Sequence, residues 1–364
     1  MKSDEKKEIV IIGFPYTNRT DTGRGIDRYL ATLYETFLNH GINLTLIDQG
    51  VVRPRLIEVI INSMKVFIKL RKTKADVYHA VDPLGTLIAI LALKKNIITT
   101  IHDTIPLDGE VSMFGWPWFV AMKLSMIISL IVSAEIIVPF NTTKEKLVKK
   151  FGVPERLVRV VNYALNLRNG NSEISNNYFH SEDKIINILF MGGGSPIDRG
   201  LVIVLDTLDD LKEVVPNVHL TIVSKLETFY SHSERIVSYV KSGKVKLLDY
   251  IPESEMQIFI SQFYAFIYPS SLGFSYLVMQ AMSAGVPVIT SNMRDMKDYL
   301  GAAGILCDQS DVGCYTRALI ELLDEEKRRI VVLNQFKRLK DFSTENFFNE
   351  MNRVYTISTD IDRK

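Results

Sequence analysis

Cysteine is almost absent from this chain. Its two thiols, Cys307 and Cys314, are too few and too close together in sequence to make a disulfide framework, so the expected setting is reducing cytoplasm. No His or Cys pair has the spacing of metal ligands, and neither a metal nor a resident cofactor is expected. Net charge is nearly absent too. The 43 Lys and Arg offset 42 Asp and Glu to leave +1, which gives the whole chain no reason to bind nucleic acid or a strongly acidic partner. Low-complexity tracts are missing, and neither glycine-rich loop has the Gly-x-Gly-x-x-Gly spacing of a dinucleotide site, which argues against a nicotinamide-dependent enzyme. The opening MKSDEKKE runs straight into a short apolar stretch, so no secretory leader is expected. One long apolar run does occur, over residues 111–140, with Lys123 and Glu135 its only charges. Pro117 and several serines break it. The remaining helix, 118–134, is at the lower edge of spanning length and carries Lys123 near its middle, so a buried or membrane-surface helix is expected over a transmembrane span.

What is there is a regular alternation. Ile- and Val-rich strands recur near 8–13, 43–48, 77–79, 97–102, 135–139 and 159–162, with helical periodicity between them, notably at 25–39 and 83–94. A polar, Asn-rich stretch at 166–183 shows no periodicity and reads as a linker. The pattern then restarts, with strands near 185–191, 219–224, 244–248, 263–268, 286–290 and 304–307. Alternation of this kind is an α/β signature and implies two doubly wound parallel sheets. The expected organisation is a Rossmann-like domain over 1–165, the linker, and a second Rossmann-like domain over 184–341. An amphipathic helix follows near 342–358.

Four segments could carry chemistry. Residues 13–28 form a glycine-rich loop ending in GRGIDR, where Gly23 and Gly25 let backbone approach a ligand and Arg28 adds a cation. His102-Asp103 sits just past an apolar strand; the imidazole can hydrogen-bond sugar hydroxyls, and Asp103 could fix its tautomer or position. His79 is a weaker candidate of the same kind. Residues 192–200, GGGSPIDRG, join a strand to a helix. Gly193, Gly194 and Arg199 there offer amides and a bidentate guanidinium to a pyrophosphate. The fourth, residues 268–292, reads YPSSLGFSYLVMQAMSAGVPVITSN: strand, glycine loop, helix, tight turn, strand.

That last segment resembles the donor-binding segment of retaining, nucleotide-sugar-dependent glycosyltransferases of family 4, with GT-B architecture. Leu272 and Gln280 stand where the family carries the two glutamates of its Glu-x7-Glu signature. GRGIDRY resembles the family's acceptor- and phosphate-facing loop, and HDTIP its His-Asp-x-x-Pro run. The resemblance implies two Rossmann-like domains facing a cleft, the second binding a nucleoside diphosphate sugar. Its donor contacts would be Gly193, Gly194, Arg199 and the backbone of Gly273, Phe274 and Ser275. Gln280 would contact ribose, the backbone near Ile251 would read the nucleobase, and His102 and Asp103 would be catalytic. The implied reaction is metal-independent, retaining sugar transfer to an acceptor hydroxyl, of a lipid-linked or cell-surface glycan precursor, by a cytoplasmic enzyme with peripheral membrane contact through 112–134. The alternative is a degenerate GT-B protein that binds a nucleotide or partner without turnover.

Overall fold

The structure is a computed structural model and describes residues 8–13, 25–48, 56–108, 116–165, 186–193, 200–224, 234–271, 274–293 and 295–361. The linker 166–183 lies outside these. The chain divides into two compact units, 1–164 with 342–364, and 165–341.

The first unit runs β1 (Ile9–Gly13), α1 (Gly25–Asn39), β2 (Thr45–Asp48), α2 (Leu56–Lys72), β3 (Val77–Ala80), α3 (Pro83–Leu91) and β4 (Ile97–Thr100). It continues with α4 (Ile105–Asp108), α5 (Trp116–Val132), β5 (Glu135–Val138), α6 (Asn141–Phe151) and β6 (Val158–Val160). The strands form one parallel sheet in the order β2-β1-β3-β4-β5-β6. They are short, and every residue of β1, β3, β4 and β5 is buried, as in a parallel sheet covered by helices on both faces.

The second unit runs β7 (Ile186–Gly193), α7 (Leu201–Leu211), β8 (Val218–Ser224), α8 (Glu234–Lys241), β9 (Val245–Leu248), α9 (Glu253–Ile260) and β10 (Ala265–Tyr268). Then come α10 (Tyr276–Ser283), β11 (Val288–Ser291), α11 (Met296–Leu300), β12 (Ile305–Cys307), α12 (Val312–Glu321) and α13 (Glu325–Leu339). Its sheet is parallel in the order β12-β11-β10-β7-β8-β9. The strand expected at 286–290 begins two residues later, at Val288: Pro287 has no N–H to donate, and its carbonyl accepts from Phe266 N at 2.9 Å.

The last helix, α14 (Thr344–Ile361), belongs to the first unit. Phe347, Met351, Val354 and Tyr355 line its buried face. Tyr29 and Phe37 of α1 meet Phe347 and Tyr355 edge to face, and His40 stacks on Phe348 at 3.6 Å.

One sequence expectation fails. Cys307 and Cys314 are joined as a disulfide. Edge strand β12 ends at Cys307, and the chain reverses at once into α12, where the Asp311 cap accepts from Cys314 N at 3.0 Å. That reversal brings the two Cα atoms to 5.7 Å, within disulfide reach. Pairing needs only this local proximity, so the cysteine pattern no longer argues for a reducing compartment. Among the described residues no helix is long and apolar enough to cross a membrane.

Candidate functional site

Each sheet has one place where neighbouring strands send their connections to opposite faces, and ligands of such sheets bind beyond the carboxyl ends of the strands there. In the second unit that place lies between β7 and β10; in the first, between β1 and β3.

In the second unit, β7 ends in Gly192 and Gly193, and Gly200 caps α7 with φ of 83°. A Cβ on Gly200 would lie 2.2 Å from the Pro269 carbonyl oxygen. The absence of a side chain therefore lets the start of α7 sit against the loop after β10. The latter loop is fastened from β11: the Thr290 hydroxyl donates to Tyr268 O at 2.6 Å, and the Ser291 hydroxyl donates to Ser270 O. Ser275, at the N-cap of α10, accepts from Leu277 N at 3.2 Å. The Phe274 ring packs edge-on against Tyr276 and Tyr299, with centroids at 5.2 and 5.0 Å. Gly194, Arg199, Leu272 and Gly273 lie outside the described residues.

Gln280 sits on the second turn of α10 and is 7% exposed. Its Nε2 donates to Glu253 Oε1 at 2.7 Å, while its own Oε1 is buried without a hydrogen-bond partner. Glu253 opens α9 immediately after exposed Tyr250, half-buried Ile251 and Pro252. The structure thus joins two sequence candidates, Gln280 and the Ile251 turn, through a residue that sequence reasoning passed over. The available signal was the acidic start of the helix after Ile251.

In the first unit, His102 lies beyond β4. Its Nε2 is 2.9 Å from Val81 O and therefore carries the proton; Nδ1, 2.8 Å from the Tyr163 hydroxyl, accepts. Burial pushes the imidazole down to about 4, although the hydrogen bond to the Val81 carbonyl favours the protonated form and the residue is only part-buried. The tautomer is therefore held by Val81 and Tyr163. Asp103 Oδ1 instead accepts from Ile105 N at 2.9 Å and opens α4.

His79 is wholly buried. It contacts the Tyr355 hydroxyl and Thr100 Oγ1, both at 2.8 Å, and burial, then His102, lowers it to about 3. It serves the core and meets no surface. Tyr29, the aromatic of GRGIDRY, reaches Thr100 Oγ1 at 3.2 Å and lies edge-on to His102 at 5.0 Å. This ties the start of α1, with Gly25 and Arg28, to the exit of β4; Gly23 lies outside the described residues. Asp82, also missed in the sequence, caps α3 by accepting from Gly85 N at 2.8 Å. Its Oδ2 is buried and unpartnered, and burial raises the carboxyl to about 6. Among the described residues no three His, Cys, Asp or Glu converge as metal ligands do.

Two family models match: "Glycosyltransferase Family 4" over residues 23–168 and "Glycosyl transferases group 1" over 186–325. The O-antigen chain mannosyltransferase B of Escherichia coli is 29% identical over 119 residues, which is 32% of this chain and 31% of that relative's length. Sucrose-phosphate synthase from Thermosynechococcus elongatus superposes with a TM-score of 0.75 at 15% identity, covering 96% of this chain and 98% of that one. Anabaena HepE, solved in complex with UDP and glucose, gives 0.69 at 13%, covering 96% and 99%. At such identities the structural likeness speaks for the fold alone, the GT-B pair of Rossmann-like domains.

Proposed function

We propose that this chain, which belongs to the group 1/family 4 glycosyltransferases, moves a sugar from a nucleoside diphosphate sugar to an acceptor hydroxyl. The observation that carries this reading is the seam beyond the carboxyl ends of β7 and β10, where Gly200 packs on Pro269 and Ser275 caps the start of α10 after the same strand. The positive end of α10 suits the diphosphate. In this reading Arg199 adds the bidentate cation that stabilises the leaving group, in place of a metal ion. His102 and Asp103 stand on the acceptor side. Because both imidazole nitrogens of His102 are engaged, a substrate hydroxyl is received at Nδ1 only by displacing the Tyr163 hydroxyl. Transfer is expected to retain the anomeric configuration. The measurement is transfer and donor hydrolysis over a panel of UDP-, GDP- and ADP-sugars with and without chelator, the product's anomeric configuration being read by NMR. Binding without hydrolysis or transfer would support the non-catalytic reading instead. Binding of none of these donors would sink both.

The acceptor is proposed to lie at a membrane surface. Trp116, Leu124, Ile127 and Ile131 of α5 and Ile60, Met64 and Ile68 of α2 are exposed, and α3 packs against both helices. Lys65, Lys69, Arg71 and Lys72 accompany the α2 stripe. An apolar stripe with basic flanks fits an anionic lipid interface. Sedimentation with phosphatidylglycerol vesicles should retain the protein at low salt, and I131E with L124E should release it. Equal partition of both proteins onto neutral and anionic vesicles would remove this part of the reading.

A further inference from the structure

We infer that the Cys307–Cys314 pair is a reversible redox clasp on the second unit. Thiol–disulfide exchange with a dithiol opens it and loosens the loop after β10. The inference rests on the nucleoside diphosphate sugar reading above and concerns how that site is regulated.

The clasp closes a weak point. β12 is an edge strand of three residues, hydrogen-bonded on one side alone, to β11. Elements held by so few bonds open locally at little cost in free energy. The start of α12 is held more firmly, because Tyr315, Ala318 and Leu319 are buried in the core of the unit. The disulfide therefore fastens the end of the weak strand to a helix anchored in that core.

From that end a short chain of hydrogen bonds leads to the donor side. Cys307 lies opposite Ser291 in the register of β12 on β11, and its carbonyl accepts from Asn292 N at 2.7 Å. The buried Ser291 hydroxyl donates in turn to Ser270 O, one residue beyond the Pro269 on which Gly200 packs. If the end of β12 frays, the end of β11 loses its outer neighbour, and the fastening of Ser270 weakens with it.

The two sulfurs differ in access. Cys314 is part-buried, whereas Cys307 is 1% exposed. The thiolate of a dithiol therefore attacks Cys314 Sγ; the S–S bond breaks, and Cys307 leaves as a thiolate that takes up a proton. The second thiolate of the dithiol attacks the mixed disulfide, releases Cys314, which is protonated likewise, and leaves the dithiol as its own disulfide. The protein pair is reduced and the dithiol oxidised; a disulfide as oxidant runs the same steps backward. A disulfide also acts as a plain staple by restricting the unfolded chain. With a sequence separation of 7, the closed loop is short, and that contribution is at its smallest.

The experiment compares the full chain oxidised with the full chain treated with dithiothreitol without denaturant, thiols being counted by alkylation and mass spectrometry. The oxidised form should offer no thiol, and the reduced form both. Calorimetric binding of UDP, GDP and ADP should be about 3-fold to 10-fold weaker in the reduced form, the worth of one neutral hydrogen bond. Hydrogen exchange at residues 268–271 and 290–292 should be faster, while unfolding of the second unit stays cooperative. C314S should behave as the reduced form and ignore the dithiol. S291A should bind equally weakly in both redox states, because its link to Ser270 is already cut. Equal affinity and equal exchange in the two wild-type forms overturn the inference while leaving nucleotide binding standing. A pair that dithiothreitol reduces only in denaturant does the same. Unfolding of the second unit on reduction also overturns it, since the bond is then a structural staple. If neither form binds a nucleotide, the donor reading falls, and the control assigned here falls with it.

Discussion

His79 and His102 are held neutral by burial, at about 3 and about 4, against about 6.5 in an unfolded chain. Between those values the unfolded state binds more protons, so both residues make the first unit less stable as pH falls through this window. Asp82 has the opposite sign. Its carboxyl is raised to about 6 from 3.8, so the folded state binds the extra proton and stability declines as pH rises from about 4 to 6. The shift disfavours the charged form by on the order of 3 kcal/mol. D82N keeps the oxygen that caps α3 and removes the buried charge. It should raise the unfolding temperature of the first unit at pH 7.5 and do much less at pH 4.5, where Asp82 is already largely protonated. An equal shift at both pH values would show that the charge is not what the site bears. None of this could be read from VYHAVDP, because the spacing of His79 and Asp82 in the sequence does not say which buried oxygen goes without a partner.

At the scale of elements, the seam between the start of α7 and the loop after β10 depends on Gly200. The residue has φ of 83° and stands against the Pro269 carbonyl, where a Cβ would approach to 2.2 Å. Alanine there meets both a left-handed backbone and a backbone clash, so G200A should cost at least about 2 kcal/mol in urea unfolding of the second unit. It should also weaken nucleotide binding. G243A is the control: Gly243 has a similar φ of 74° but open space around its Cβ position, so it carries the dihedral penalty alone. Comparable losses in the two variants would mean that the approach to Pro269 carries little energy. The strands around this seam were legible because parallel strands covered on both faces read as unbroken Ile and Val runs, as in β7 and β10. The joining of Gln280 to Glu253 was not, since 27 residues separate them and only the packing of α9 on α10 brings them together. The Cys307–Cys314 bond escaped for the opposite reason. Its partners are near in sequence, and only the reversal from β12 into α12 turns nearness into bonding geometry.

At the scale of the whole chain, the first unit is discontinuous: residues 1–164 are completed by 342–364. α14 supplies Phe347 and Tyr355 to the rings of Tyr29 and Phe37, and its Tyr355 hydroxyl engages the buried His79. Removing it would leave that imidazole without one of its two partners and expose the apolar face of α1. The second unit carries its own core around Phe190, Ile222 and Ile267 and loses none of these contacts. A chain ended after Asp341 should therefore show, by calorimetry, a second-unit transition near its full-length temperature, while the first-unit transition moves sharply down or disappears. Limited proteolysis should cut within 1–164 and spare 186–341. If both transitions fell together, the two units would be coupled in stability, and the assignment of α14 to the core of the first unit alone would be wrong. If neither moved, Tyr355 and Phe347 would be dispensable to that core, against the burial of both.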